Sequence, residues 1–407
     1  MPARRRADDD DRRVATTEHE GSWQSQVAGA MTTTVRILDS FDPLVAEWEN
    51  LAQRTRAVPF LWPGWVVAWW TAFGAGRLQI FTAYDDDRLT GVLPLRRLHG
   101  KLGSTTNSET PQYGFLAEDE SVVKQLSHAL FSRRTRSIDL AFLSPADAGV
   151  SLTHAAAAAA RYRLMTESIP AAPYVATDGS WDVYQSRLRR KFRSELRRRR
   201  RRLEEEGNVS LEVSDGTERL DELLDEGFRV EGSGWKGAYG TSIGSRPATR
   251  RFYTDVARWA AERGWLRLAF LRLDGRALAF DYCLEHEKTH YLLKTGYDAS
   301  YGKFAPGMII RQLMLARAFS DDITTYDFLG VGSDYAWKRE WADTQQERLF
   351  LRMFAPTTLG LLDRVAYLGA TSASETAKSL ARSSVLGERG RRLLKRGHAM
   401  VHARLGR

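Results

Sequence analysis

A single cysteine, Cys283, stands in a chain of 407 residues, which excludes an internal disulfide framework and a cysteine-based zinc site. Long apolar runs are missing too: no stretch of about 18 apolar residues occurs, so the sequence predicts no membrane span. The N-terminal MPARRRADDDDRRVATTEHEGSWQSQ lacks the apolar core of a secretory signal. These absences predict a cytoplasmic protein. What is present is 43% hydrophobic and 27% charged, a globular composition, and the length predicts two or three domains.

The net charge of +9 is unevenly placed. From Arg187 to Arg202 there are eleven basic residues and one acid, Glu195; from Thr357 to Arg407 there are ten basic residues and three acids. Local excess of one sign marks either a solvated face or a surface for an anionic partner. The C-terminal ERGRRLLKRGHAMVHARL reads as a basic amphipathic helix, a form used both for surface packing and for membrane-surface contact.

Four segments are expected. Residues 1–30 read as a disordered tail, with Met31 the candidate true start. Residues 31–174 read as a first α/β unit: strand TVRILDS, helix LVAEWENLAQR opened by Asp42-Pro43, helix WPGWVVAWWTAF ended by Gly74, strands LQIFTAY and TGVLPLRRL, the polar loop GKLGSTTNSETPQYG, and helices SVVKQLSHALF and THAAAAAARY. Residues 175–355 read as a second unit. It opens with one long helix from a Ser180 cap to a Gly207 stop, and continues with strand VSLEV and helices ERLDELLDEGFRVEG and RRFYTDVARWAAERG. Strands WLRLAFLRLDG, RALAFDYCLEH and HYLLKTGYD follow, then helix MIIRQLMLARAFS, strand TTYDFLG, a helical SDYAWKREWAD and strand RLFLRMFA. Residues 356–407 form a basic helical tail. QIFTAYDDDRLTGVLPL and RLAFLRLDGRALAFDYCL share one strand–turn–strand pattern, which either a duplication or ordinary hairpin similarity explains.

His286-Glu287-Lys288-Thr289-His290 spells H-E-x-x-H, but that zinc chemistry needs a helix to align two imidazoles, and here strand segments flank the motif. No metal site is expected. Three other stretches carry chemistry. In ASYGKFAPG, Gly302 and Gly307 permit close backbone approach, Lys303 adds charge, and Pro306 opens a helix whose N-terminus suits a pyrophosphate. In VEGSGWKGAYG, Glu231, Trp235 and Lys236 sit in a glycine-rich loop after a helix. In TTYDFLGVGSDYAWKREWAD, Asp327 ends a strand before Gly330 and Gly332, with Tyr335 and Lys338 following, where α/β folds place ligands. Cys283 reads as a strand-packed small hydrophobe.

In order, EGSGWKG, RRFY, LRLDGRALA, YLLKTGYD, FAPGMII, YDFLGVG and YAWKREW resemble the GNAT-type acetyltransferase domain of the CelD/BcsL and BioF-like group, which is related to the Fem-type aminoacyl transferases. The first unit resembles the degenerate partner unit of the same group. The resemblance implies an α/β (α+β) fold of tandem GNAT-like units, with mixed, mostly antiparallel sheets flanked by helices. It implies an acyl-CoA co-substrate, typically acetyl-CoA, and direct attack by an amine with no acyl-enzyme. It assigns Lys338 to the oxyanion, with Glu231 the candidate base and Tyr335 the candidate acid. Tyr297, Gly302, Lys303, Pro306 and Gly307 hold the donor; Trp235, Lys236 and Asp327 face the acceptor, a small-molecule or glycan amine of polysaccharide or envelope chemistry. The family's Q/R-x-x-G-x-G/A phosphate signature is replaced here by Ser300-Tyr301-Gly302-Lys303-Phe304-Ala305-Pro306-Gly307, which leaves another acyl carrier open. The alternatives are aminoacyl transfer from tRNA and a non-enzymatic binder of anions or nucleic acid through the basic helices. Only Phe192 interleaves the Arg187–Arg202 run, against the aromatic-rich habit of nucleic-acid binders.

Overall fold

The computed structural model describes residues 33–171, 173–234, 240–330, 337–342, 344 and 346–382. Met31 and the ERGRRLLKRGHAMVHARL segment lie outside them. Two mixed sheets organise the described chain. The first has the order β1 (Thr33–Leu38), β2 (Arg77–Asp85), β3 (Arg88–Leu98), β4 (Lys101–Ser104), β6 (Ser137–Leu143), β14 (Glu347–Phe354) and β7 (Arg163–Pro170), with β5 (Leu116–Ala117) against β3. The second has the order β8 (Tyr174–Ala176), β13 (Thr325–Asp327), β12 (Thr289–Tyr297), β11 (Arg276–His286), β10 (Leu266–Leu273) and β9 (Val209–Ser214).

The two sheets repeat one wiring. β1 to β4 and β9 to β12 are antiparallel meanders. Each then meets a parallel neighbour, β6 or β13. A helix lies in each of these two connections: α3 (Glu120–Ala129) in the first and α9 (Pro306–Ser320) in the second. The two segments that echo each other in sequence are the β2–β3 and β10–β11 hairpins, in equivalent places.

Helices α1 (Val45–Arg54), α2 (Pro63–Phe73), α7 (Leu220–Gly232) and α8 (Pro247–Glu262) fill a core that both sheets share. Trp48, Trp65 and Trp69 are buried there with Phe252 and Val256 of α8 and Phe270, Phe280 and Tyr282 of the second sheet. Burial of such large aromatics, each worth about 2–3 kcal/mol, explains why the tryptophan-rich α2 is apolar on nearly every side. The far face of the second sheet is covered by α5 (Trp181–Arg187), α6 (Arg190–Glu204) and α9, and that of the first by α3 and α4 (Ala148–Ala159). A last helix, α10, spans Thr358–Arg382. Among the described residues no helix is long and apolar enough to cross a membrane.

Two sequence expectations are corrected. The long helix from Ser180 is two helices, because Leu188 and Arg189 are extended (ψ 146° and 132°) and Leu188 is buried. The turn lets α6 bury Leu196 and Leu203. Strand RLFLRMFA forms, as β14, but pairs with β6 and β7 of the first sheet instead of closing the second. Period-2 alternation sets which side chains face which layer, not which strand is the partner. The place beside β13 is taken by β8.

Candidate active site

β12 and β13 pair for three residues only, Thr289↔Thr325 to Tyr291↔Asp327. β13 then ends while β12 runs on to Tyr297, so the strands part. On its other edge β12 stays paired with β11, through a register shift at Tyr282/Cys283 that leaves Leu293 as an extra, bulged residue. A bulge bends its strand locally. Beyond Tyr291 the outer edge of β12 pairs with no strand among the described residues.

That edge leads to the start of α9. Asp298 accepts from the Ser300 N–H (3.0 Å) and hydroxyl (2.6 Å) and caps a short turn, Ala299–Phe304. Ala305 is left-handed (φ 52°) and Pro306 opens α9 with no side-chain cap. The Tyr297 ring lies over both glycines: a Cβ on Gly307 would stand 3.3 Å from Tyr297 Cδ1, and one on Gly302 3.9 Å from Cε2. Lys303 reaches Glu206 (3.6 Å).

The equivalent features of the first sheet are occupied by the chain itself. The Asp119 carboxylate caps α3, accepting from the Ser121 and Val122 N–H groups at 2.8 and 3.1 Å. Beyond the short β4–β6 pairing, Ser104 Oγ accepts from the Ala141 N–H, and the Tyr113 N–H donates to Phe142 O at 3.0 Å. A negative side chain thus stands at this helix N-terminus and a chain segment lies in the gap.

Around the parting strands stand three of the residues singled out in sequence. Glu231 is buried, and its Oε2 accepts from the Ile243 N–H at 2.9 Å. Its helix crosses β12 so closely that a Cβ on Gly296 would lie 2.4 Å from Glu231 Cα. Asp327 accepts from the Leu329 N–H (2.8 Å) and Gln346 Nε2 (3.1 Å), and its burial raises its pKa. Buried Lys338 donates to Phe328 O (2.8 Å) and Leu329 O (2.6 Å), so its Nζ is held at the end of β13. Trp235, Lys236 and Tyr335 lie outside the described residues.

Sequence reasoning missed a buried network beneath this edge. Arg311 of α9 and Asp281 of β11 are wholly buried and bond at 2.8 Å, and Arg311 also donates to Tyr326 of β13 and to Thr295 Oγ1 of β12 (3.3 Å). Burial opposes the guanidinium charge and Asp281 overrides it, so the Arg311 pKa is raised. One guanidinium thus ties α9 to both parting strands. The available signals were a lone arginine in MIIRQLML and a lone acid in AFDYCL. A second missed contact comes from the polar loop after β4. Glu109 bonds Lys294 of β12 (2.7 Å) and the Tyr253 hydroxyl (2.9 Å), and Arg348 donates to Pro111 O. Through Glu109 the first unit's loop thereby reaches β12 of the second sheet. Burial raises the Glu109 pKa, but Lys294 and the two hydrogen bonds outweigh it and hold the carboxyl low.

The H-E-x-x-H residues form the β11–β12 hairpin, with Glu287 and Lys288 at positive φ. His286 packs against Trp62 and Trp265, while His290 stacks on Tyr326, so the imidazoles face opposite sides of the sheet. Cys283 is fully buried on its strand, which raises its thiol pKa. In α6, Arg198 and Arg199 pair with Glu195, and Arg200 with Glu204, short-range surface pairs of small energetic weight.

Residues 190–339 match the family model described as an acetyltransferase (GNAT) domain. No curated protein matches the chain. Solved structures share its fold. FemX is 12% identical with a TM-score of 0.54, over 78% of this chain and 96% of that one. The C-terminal domain of a putative lysylphosphatidylglycerol synthetase from Agrobacterium fabrum is 13% identical with a TM-score of 0.51, over 81% and 97%. A protein of unknown function from Bacteroides thetaiotaomicron is 12% identical with a TM-score of 0.51, over 79% and 100%. At these identities the likeness is one of fold. Residues 190–339 carry a GNAT-type acetyltransferase domain, and the protein is an acyltransferase of that class.

Proposed function

We propose that this enzyme moves an acetyl or other acyl group from acyl-CoA to a primary amine of a glycan or cell-envelope precursor in the cytoplasm. The observation that carries the reading is the parting of β12 from β13 beside an α9 N-terminus that no side chain caps. The donor's amide-bearing arm lies along the open β12 edge, and its diphosphate meets the start of α9 at Gly302, Pro306 and Gly307, with Lys303 nearby and Tyr297 packing against it. The second sheet does this work and the first is a degenerate partner, because α3 already holds Asp119 at its N-terminus. The basic face at Arg187–Arg202 offers a surface for anionic groups of donor or acceptor.

The amine nitrogen attacks the thioester carbonyl carbon, the C–S bond breaks, and the amine proton and the thiolate must both be managed. Lys338, its Nζ held at the end of β13, stabilises the developing oxyanion. Glu231 takes the ammonium proton and Tyr335 protonates the leaving thiolate. Trp235, Lys236 and Asp327 face the acceptor. The test is release of free CoA from acetyl-CoA with a panel of amines, amino sugars included. Amine-dependent release that falls with Lys338→Met supports the reading, and no release with any amine counts against it. The resemblance to Fem-type transferases keeps a second donor in view, aminoacyl-tRNA, which amine-dependent release of free tRNA from that donor would identify.

A further inference from the structure

Helix α10 is docked the wrong way round for a soluble helix. Its polar side faces the protein: Asp363 pairs with Arg136 (2.8 Å) and Lys101 (3.4 Å), and Tyr367 lies under Arg352 (4.1 Å) and against Phe354. Its apolar side faces out. Leu359, Leu361, Leu362 and Val365 each leave more than half of their surface in solvent, and Leu368 leaves 37%. Seven large apolar side chains are exposed among the described residues, and five of them are on this helix. Leu361, Leu362, Val365 and Leu368 recur at helical spacing, so they form one stripe. A stripe of that kind marks a surface that something else covers.

Charge selects the occupant. Residues 373–407, which continue from the stripe, contain nine Lys or Arg and two Glu. Lys101 and Arg136 flank the helix on the protein side. A second copy of the chain would bring the same excess of positive charge to the contact. An anionic surface with an apolar interior satisfies both the stripe and the charge. We propose that the outward face of α10 seats the protein on an anionic lipid bilayer, with Leu361, Leu362, Val365 and Leu368 in the headgroup–acyl boundary and the net positive charge of the sequence that follows favouring anionic headgroups. This surface is independent of the acyl-transfer reading.

The test is flotation of the full-length protein with vesicles of phosphatidylglycerol or of phosphatidylcholine alone, at low and high salt. Flotation with the anionic vesicles only, weakened by salt, is expected. The double variant Leu362→Glu, Val365→Glu is expected to lose roughly tenfold or more in vesicle partition. The milder pair Leu361→Ser, Leu368→Ser should reduce it in the same direction if the first does not fold. Circular dichroism checks folding, and CoA release with a soluble amine should be unchanged. Three results overturn the proposal: no flotation with anionic vesicles at low salt, flotation that folded variants do not weaken, or a dimer in light scattering that the substitutions dissociate.

Discussion

Replacing Gly296 with alanine puts one methyl group between β12 and α7. The new Cβ would stand 2.4 Å from Glu231 Cα and 2.8 Å from its Cβ and Cγ. Carbon atoms in contact rest about 3.5–4.0 Å apart, so α7 must withdraw by roughly 1 Å or more. The obstacle is backbone and cannot swing aside, so the overpacking should cost about 1–3 kcal/mol. It also carries Glu231 away from the β12 edge, and if Glu231 is the base proposed above, a displacement of that size costs on the order of a hundredfold in rate. Gly307→Ala is the matched control. Its methyl would meet only Tyr297 Cδ1, at 3.3 Å, and a side-chain ring can turn. That variant should stay within about 0.5 kcal/mol of the parent and act on the donor KM, because it crowds the start of α9. Urea unfolding and steady-state CoA release, run on both variants, read the two effects separately. Gly296→Ala with unchanged stability and unchanged kcat would refute the claim that this close crossing positions the site.

Four further outcomes follow from the geometry. Arg311→Leu leaves the buried Asp281 charge without its partner and should cost about 3–5 kcal/mol in urea unfolding, with part regained when Asp281→Asn is added. Lys338→Met should lower kcat by about a hundredfold to a thousandfold with a smaller change in KM, measured by CoA release. Burial would raise the Glu285 pKa, but His290, Arg267 and Arg317 override it and hold the carboxyl at about 2, below its ordinary 4.5. A depressed carboxyl stabilises the fold above its unfolded pKa, so roughly 3 kcal/mol should be lost as pH falls from 4.5 towards 2; Glu285→Gln should flatten that acid limb in pH-dependent unfolding. Asp119→Ala removes the cap of α3 and should cost about 1 kcal/mol in thermal unfolding while leaving the donor KM unchanged.

Local signals in the sequence carried as far as local physics reaches. The β10–β11 and β11–β12 hairpins, the Gly74 stop of α2 and the Pro306 start of α9 follow from alternation, turn residues and proline geometry. The strand segments that flank H-E-x-x-H in sequence are β11 and β12, and Glu287 and Lys288 form the turn between the two histidines. Long-range choices were not legible. Alternation in RLFLRMFA describes a strand without naming β6 and β7 as its neighbours. The arginine run favours helix all along its length, yet the helix breaks at Leu188 and Arg189, which are extended, with Leu188 buried. Charges inside apolar segments, Asp281 and Arg311, become a pair only when α9 lies across β11. Glu109 is one polar residue among many in its loop, and its partner Lys294 comes from the other sheet.

Acetyl-CoA titration by calorimetry tests the central claim most directly, because it counts donor sites as well as finding them. One site per chain is predicted, since α9 starts without a side-chain cap while Asp119 fills the equivalent place at α3. Ala305→Asp, which sets a negative charge at the start of α9, should weaken that binding by about tenfold or more. No heat at millimolar acetyl-CoA, two sites per chain, or one site indifferent to Ala305→Asp would contradict the account.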